Sequence, residues 1–119
     1  MAKAKTKPLL PTLREKKRYL AYEAISAHKF NGAIEINKAI IDAAEEFLGS
    51  LGMAKAGILA VNDKWDIKSQ RGIIRVNNKH LDNLRASLIF ADKIGNDDVI
   101  IRSVGASGIL KKVQQKYLN

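Results

Sequence analysis

The feature that most constrains the fold of this chain is the spacing of its apolar residues. Along the sequence, this spacing switches repeatedly between the two-residue period of a strand and the 3.6-residue period of a helix. Strand-like runs occupy positions 18–26, 54–61, 65–76 and 99–104. Helical spacing of apolar residues occupies positions 33–51, a stretch from Asn77 or Asn78 that stops before Gly95, and positions 109–118. The order βαββαβ followed by α predicts an α+β fold, namely a ferredoxin-like sandwich with a four-stranded antiparallel sheet and an extra C-terminal helix.

Glycines and turn residues predict where these elements end. Gly49 and Gly52 predict that the first helix ends near residue 51. Asn62–Asp63 predicts a turn after the second strand, and positions 95–98 predict another before the last strand. We expect the side chain of Asn77 or Asn78 to cap the second helix.

Alternation within the third strand predicts a sheet with two unlike faces. If Ile74 and Val76 point toward the helices, then Arg71, Ile73 and Arg75 lie on the opposite face. That face is half aliphatic and half arginine, and exposed aliphatic patches of this kind usually have a cover. We expect the cover to be either the last helix or a protein partner.

Length and composition favour a single domain. The chain has 119 residues, 46% of them hydrophobic, which is enough for one core. We assign residues 1–11 to a flexible basic tail and residues 12–119 to the domain. The chain has no cysteine, which excludes disulfides, thiolate metal sites and a cysteine nucleophile. Because no run of about 18 apolar residues occurs, we expect no membrane partner and a cytoplasmic location.

The net charge of +9 is concentrated at the two ends of the chain. Residues 1–18 contain seven basic groups and one acidic group, and residues 102–119 contain four basic groups and no acidic group. The residues between them carry a net charge of −1. Such segregation is typical of a binding surface for a polyanion, because each neutralised phosphate releases counterions. The alternative is a solubilising surface charge.

The stretch RGIIRVNN, residues 71–78, has the outline of a strand that contacts RNA in RNA-recognition motifs. The positions that should be aromatic hold Ile73, Arg75 and Asn78, so the surface for stacking on bases is missing. Arg71, Arg75, Lys79 and Arg85 can still contact phosphate. The sequence therefore predicts contacts to the RNA backbone and to helical shape without base readout.

The stretch RSVGASGILKK, residues 102–112, is the sharpest local motif. Gly105 and Gly108 would let the backbone approach a ligand closely, and Ser107 would cap the following helix. Lys111 and Lys112 lie in its first turns, so free amides and ammonium groups together predict a phosphate site. The alternative is an ordinary glycine turn before a capped helix.

Residues suited to catalysis or metal binding are sparse. His28 and His80 lie far apart in sequence, without a carboxylate or histidine at ligand spacing. Asp97–Asp98 is explained by a turn, and Trp65 by packing in the core. We therefore predict no catalytic residues, no metal ligands and no cofactor in this chain.

Three blocks in this order resemble a known family. They are PTLREKKRYLAYE at residues 11–23, GIIRVNNKHLDNLRASL at 72–88 and IIRSVGASGILKK at 100–112. Together they resemble the archaeal ribonuclease P protein component 2 family, whose eukaryotic relatives are subunits of nuclear ribonuclease P and MRP ribonucleoproteins. The similarity extends over residues 11–118. One departure is Ile109–Leu110, where the family commonly has Thr-Ile.

The resemblance implies an RNA-recognition-like fold and a noncatalytic subunit of the ribonucleoprotein that removes the 5′ leader from precursor tRNA. The chemistry would belong to the RNA and its magnesium ions. The implied partners are the ribonuclease P RNA, protein component 3 and the other subunits, with precursor tRNA bound through the holoenzyme. A homodimer within a heterotetramer is left open. The residues that we predict to bind RNA are Arg14, Lys16, Lys17, Arg18, Arg71, Arg75, Lys79, Arg85, Arg102, Ser107, Gly108, Lys111 and Lys112.

Two other functions stay open from the sequence. One is a ferredoxin-like RNA-binding module that is regulatory or associated with the ribosome. The other is a small enzyme of the acylphosphatase type, although residues 26–34, SAHKFNGAI, do not supply the glycine-rich loop and arginine that such enzymes use.

Overall fold

A computed structural model describes residues 16–118 of the chain. The elements in chain order are β1 Lys17–Ser26, α1 Ile34–Ala56, β2 Leu59–Asp66, β3 Arg71–Asn77, a 3-10 turn Asn78–His80, α2 Leu81–Ser87, a 3-10 turn Leu88–Phe90, β4 Lys93–Ile94, β5 Asp97–Ser107 and α3 Leu110–Tyr117. The mixed α/β composition is confirmed. The predicted tail lies outside the described residues, so the domain boundaries stay a prediction. None of the described helices is long and apolar enough to span a membrane.

All described strands form one antiparallel sheet in the order β2-β3-β1-β5-β4. The sheet has five strands, so the prediction of four strands is matched only in part. The added strand β4 has two residues and pairs with Asp97 and Asp98 at the start of β5. Gly95 permits this hairpin, because its φ of +64° is in the left-handed region that tight two-residue turns use.

Helix α1 is longer than the sequence pattern indicates. It continues to Ala56, so the predicted end near residue 51 and the predicted strand from residue 54 are both wrong. Gly49 has φ 73° and ψ 174°, which interrupts the helix without ending it. The true end is Gly57 in the left-handed conformation. Burial of Ala56 in the main core explains why the chain stays helical beyond two glycines.

The turn predicted at Asn62–Asp63 is also wrong, because both residues lie within β2. The pairing register shifts between Val61 and Trp65, so the polar pair is accommodated as an irregularity of the strand. The chain reverses instead at residues 67–70, where Gln70 has φ 56°. The buried Gln70 side chain stabilises this turn by donating to the carbonyl of Ile67 at 2.6 Å.

The second helix begins differently from its prediction. Asn78 opens a 3-10 turn, and neither Asn77 nor His80 makes a side-chain cap. Helical spacing of apolar residues is confirmed here, since Leu84 and Leu88 are both buried in the main core.

The sheet packs on both of its faces. Helices α1 and α2 cover the first face, and their main core contains Leu20, Tyr22, Ala24, Ile36, Ile40, Ile74, Val76, Leu84, Val99 and Ile101. Helix α3 covers the middle of the second face, where Val113 and Leu118 pack on Ala21 and Ile73. Burying a side chain of this kind stabilises a fold by about 1.5–3 kcal/mol.

The mixed face therefore has its cover in the last helix. Ile74 and Val76 point toward α1 and α2, and Ile73 points toward α3, as alternation predicts. The cover is incomplete, because the cross-strand pair Ile25 and Ile100 stays 47% and 65% exposed.

Candidate nucleic-acid interface

The sheet face under α3 is organised in rows that cross four strands. The first row contains Leu59, Arg75, Tyr19 and Ser107; the second contains Val61, Ile73, Ala21 and Gly105; the third contains Asp66, Arg71, Glu23 and Arg102. Helix α3 packs on the apolar second row. The mixed first row and the charged third row lie on either side of it, so the face has two chemically different ends.

The end beside the first row collects predicted RNA-binding residues from three distant segments. Because neighbouring strands are antiparallel, the start of β1 lies beside the end of β3 and the end of β5. The Asn78 amide donates to the Lys16 carbonyl at 2.8 Å, and Tyr19 pairs with Ser107. We call this end the basic edge, and it comprises Lys16, Lys17, Arg18, Lys79, Ser107, Gly108, Lys111 and Lys112.

Two cations of the basic edge are held by neutral amide side chains. Lys17 Nζ donates to Asn77 Oδ1 at 2.6 Å, and Arg18 Nε donates to Asn78 Oδ1 at 2.8 Å. An amide oxygen orients a cation without cancelling its charge, so both groups keep their attraction for phosphate. The convergence of these segments depends on tertiary structure, although each was identified from the sequence.

Asn77 is a structural residue that sequence reasoning assigned to the wrong role. Its Nδ2 donates to the Lys55 carbonyl at 2.8 Å, and its side chain fills the space beside Gly57. It therefore satisfies a carbonyl at the end of α1 and orients Lys17 at the same time. The strand-ending asparagine pair in RVNN is the only sequence signal for this.

The start of α3 differs from the predicted capped helix. Ile109, in extended conformation, precedes the helix without a side-chain cap, and its amide donates to Ser107 Oγ at 3.2 Å. Gly108 is open, since among residues 16–118 a β-carbon there would meet only the Lys17 carbonyl, at 3.6 Å. Lys111 and Lys112 are exposed in the first turn.

Gly105 does not have the role that its motif indicates. The phenol ring of Tyr117 lies directly over it, where a β-carbon would clash with the hydroxyl group. The prediction of a close backbone approach to a ligand at Gly105 is therefore wrong. Gly105 lets α3 pack closely on the sheet. Of the two glycines in the motif, Gly108 is the one whose backbone is open beside Lys111 and Lys112.

The opposite end of the face contains an internally paired cluster. Glu23 accepts from Arg102 Nε at 2.6 Å, and its other oxygen lies 3.6 Å from Arg71 Nε. Arg71 also donates to the Tyr117 carbonyl at 3.1 Å, at the end of α3. One carboxylate thus compensates part of the charge of two predicted RNA contacts. Arg71 and Arg102 have a structural role here, and their contact with RNA stays a prediction.

The remaining predicted contacts are separate from each other. Arg75 lies in the first row beside Tyr19, and its buried Nε has no hydrogen-bond acceptor among the described residues. Arg85 lies on α2, across the sheet, with Asp82 at 3.3 Å. Arg14 lies outside the described residues.

Groups with altered proton affinity lie away from the basic edge. Burial raises the pKa of Tyr22 well above its ordinary value, and its hydroxyl donates to Asn37 within the core. The hydrogen bond from the Ser69 hydroxyl lowers the pKa of Asp66. His28 lies 3.5 Å from Asp97, an exposed pair that its sequence position did not indicate. Within residues 16–118, no three acidic or histidine side chains are grouped as a metal site.

The fold and the basic edge define a small α/β protein with a cluster of cations at one end of an antiparallel sheet, as in proteins that bind polyanions. The sequence model of the Rpp14/Pop5 family matches residues 18–118. The chain belongs to this family, which confirms the resemblance found in its three sequence blocks.

Similar proteins come from archaea. The ribonuclease P protein component 2 of Thermococcus kodakarensis is 42% identical over 114 residues, which cover 96% of this chain and 92% of the relative. That of Pyrococcus furiosus is 41% identical over 113 residues, with 95% and 92% covered. That of Methanococcus vannielii is 36% identical over 113 residues, with 95% and 83% covered.

Proposed function

We propose that this chain is a noncatalytic protein subunit of ribonuclease P, which acts in tRNA processing by removing the 5′ leader of precursor tRNA. The main observation in support is that this member of the Rpp14/Pop5 family brings three basic segments together at one edge of its sheet. Nearly full-length similarity to proteins called ribonuclease P protein component 2 supports the assignment.

The basic edge would act on the sugar-phosphate backbone. Its lysines and arginine are exposed or half-buried and are spread over the start of β1, the 3-10 turn after β3 and the first turn of α3, so they can contact phosphates of more than one RNA strand. Cations in such positions offset the repulsion between packed RNA helices and release condensed counterions. Without aromatic side chains for stacking, the interface would select shape and charge instead of bases.

The reaction itself would belong to the RNA, with its own magnesium ions. This chain would stabilise the active RNA fold and so lower the magnesium concentration that activity requires. Its proposed partners are the ribonuclease P RNA, protein component 3 and the other protein subunits, with precursor tRNA bound through the holoenzyme in the cytoplasm. The four longer strands would form a ferredoxin-like core to which β4 is an addition.

Reconstitution across a magnesium series tests this function. The cognate RNA and the other protein subunits are assembled with and without this chain, and the initial rate of precursor-tRNA cleavage is measured. We expect the chain to shift the magnesium midpoint to a lower concentration. An identical midpoint and rate in both assemblies would refute the proposal.

A further inference from the structure

An aromatic pair is exposed on the helical side of the molecule, away from the sheet face under α3. Phe47 of α1 and Phe90 of the second 3-10 turn have ring centroids 5.7 Å apart. They are 46% and 52% exposed. Two adjacent phenyl rings that keep half of their surface in water are characteristic of an interaction surface.

The aromatic pair lies beside an open groove of about 410 Å³. The groove separates α1 from the segment that leads from Phe90 to Gly95, and Ala39 and Ala43 contribute apolar surface to it. Its charged lining consists of Glu35, Lys38, Asp42, Glu46 and Lys93. We call this surface, together with Phe47, the aromatic groove.

The charge of the aromatic groove is opposite to that of the whole chain. Lys93 lies 3.3 Å from Asp98, which compensates it and leaves Lys38 as the other cation of the groove. In the part of the chain that the structure describes, the three groove carboxylates, Glu35, Asp42 and Glu46, form no ion pair. A net negative, partly apolar groove on a chain of charge +9 repels RNA and attracts cationic groups.

We propose that the aromatic groove is the docking site for a protein partner, through a segment that places apolar side chains on Phe47 and Phe90 and basic side chains toward the groove carboxylates. Apolar contact would supply most of the affinity, and the charges would select the partner. A protein fits the groove better than nucleic acid, because the three carboxylates of the groove outnumber its two lysines and would repel phosphates.

The position of the groove allows protein and RNA to bind at the same time. Its residues on α1 extend from Glu35 to Phe47, whereas the C-terminal end of α1 is joined to the basic edge through the hydrogen bond of Asn77 to the Lys55 carbonyl. The two surfaces therefore use different parts of the same helix. A subunit arranged in this way would connect a basic protein to the RNA.

The inference rests on the proposed function, because the candidate partners are the other protein subunits of archaeal ribonuclease P. Each subunit, purified separately, is titrated by calorimetry into the full-length chain and into the double variant Phe47→Ser/Phe90→Ser. The matched control is Leu59→Ser/Ile67→Ser, two residues that are each 49% exposed and lie outside the groove lining. A third variant, Glu35→Gln/Asp42→Asn/Glu46→Gln, removes the groove carboxylates and retains the aromatic pair.

We expect at least one subunit to bind, with its Kd raised about tenfold or more by the phenylalanine variant, as for an aromatic hot spot. The control should stay near the parent value, and the carboxylate variant should weaken the salt dependence of binding. Equal affinities for parent and phenylalanine variant, or no subunit that binds, would overturn the inference. So would self-association of the chain that disappears in the phenylalanine variant, which would identify a second copy as the occupant.

RNA binding, measured with the same samples, separates this inference from the proposed function. The groove variants should keep the RNA affinity of the parent. If the parent fails to bind RNA but binds a subunit through the groove, the RNA-binding function fails and the docking site stands.

Discussion

Removal of two lysines from the basic edge tests whether this surface contacts phosphate. The double variant Lys111→Ala/Lys112→Ala takes two exposed side chains from the first turn of α3. Neither contributes to the cluster under the helix, where Leu110, Val113 and Tyr117 make the contacts. We therefore expect the fold to be retained and the affinity for ribonuclease P RNA to fall.

The described cations of the basic edge determine the expected magnitude. Six are present: Lys16, Lys17, Arg18, Lys79, Lys111 and Lys112. If each neutralises one phosphate, the slope of log K against log salt is about −5.4, and about −3.6 after two are removed. Raising salt from about 50 to about 200 mM would then weaken the parent about 2000-fold and the variant about 150-fold.

Fluorescence anisotropy with labelled RNA, over a series of salt concentrations, measures both slopes. The matched control is Lys29→Ala/Lys68→Ala, which removes two exposed lysines near the opposite end of the sheet. Its slope should equal that of the parent. If the Lys111 and Lys112 variant has the parent slope, or if the control loses as much slope as the variant, the assignment of the basic edge is refuted.

Three further predictions concern the contacts that shape the fold around this edge. Replacing Glu23 by alanine leaves two arginines without their carboxylate, so we expect the free energy of unfolding in urea to fall by about 2 kcal/mol; an unchanged denaturation midpoint would contradict this. Gly105→Ala forces a methyl group against the Tyr117 ring, and the cost of such overpacking is about 1–3 kcal/mol, measured in the same way against Gly32→Ala, where the space is open. Because burial raises the pKa of Tyr22 above its unfolded value, folding favours the neutral phenol; stability should therefore be constant below about pH 10 and fall above it. Tyr22→Phe should lose about 1 kcal/mol with the hydrogen bond to Asn37 and flatten that alkaline decline, and an equally steep decline in the variant would argue against the assignment.

Elements with strong local periodicity were predictable from the sequence. The residues at which these elements begin and end were less predictable. The strands β1, β3 and β5 follow from alternation, and the burial of Leu84 and Leu88 follows from helical spacing. The end of α1 depends instead on burial of Ala56 and on Asn77 beside Gly57, which are contacts between distant parts of the chain. Local reasoning stopped at Gly49, because a glycine with positive φ usually ends a helix.

The candidate site was predictable as a set of charges but not as a surface. Charge at both ends of the chain indicated a polyanion, and the motifs supplied most of the residues. Which cations act together depends on strand order, which places Lys17 beside Gly108 and gives Arg71 and Arg102 a shared partner in Glu23. Sequence position contains no information on a carboxylate that is 48 and 79 residues away.

The sequence by itself determined the α/β class, the excess of positive charge at both termini, the absence of stacking aromatics in RGIIRVNN and the family. Tertiary structure alone decided that α3 covers the second face of the sheet and that Gly105 serves packing. It also decided that residues 16–18 and 107–112 lie at one edge, while acidic and aromatic groups are grouped elsewhere. The physical reason is that periodicity and composition are local properties of the chain. Compensation of charge and burial of side chains depend on which segments the sheet brings together.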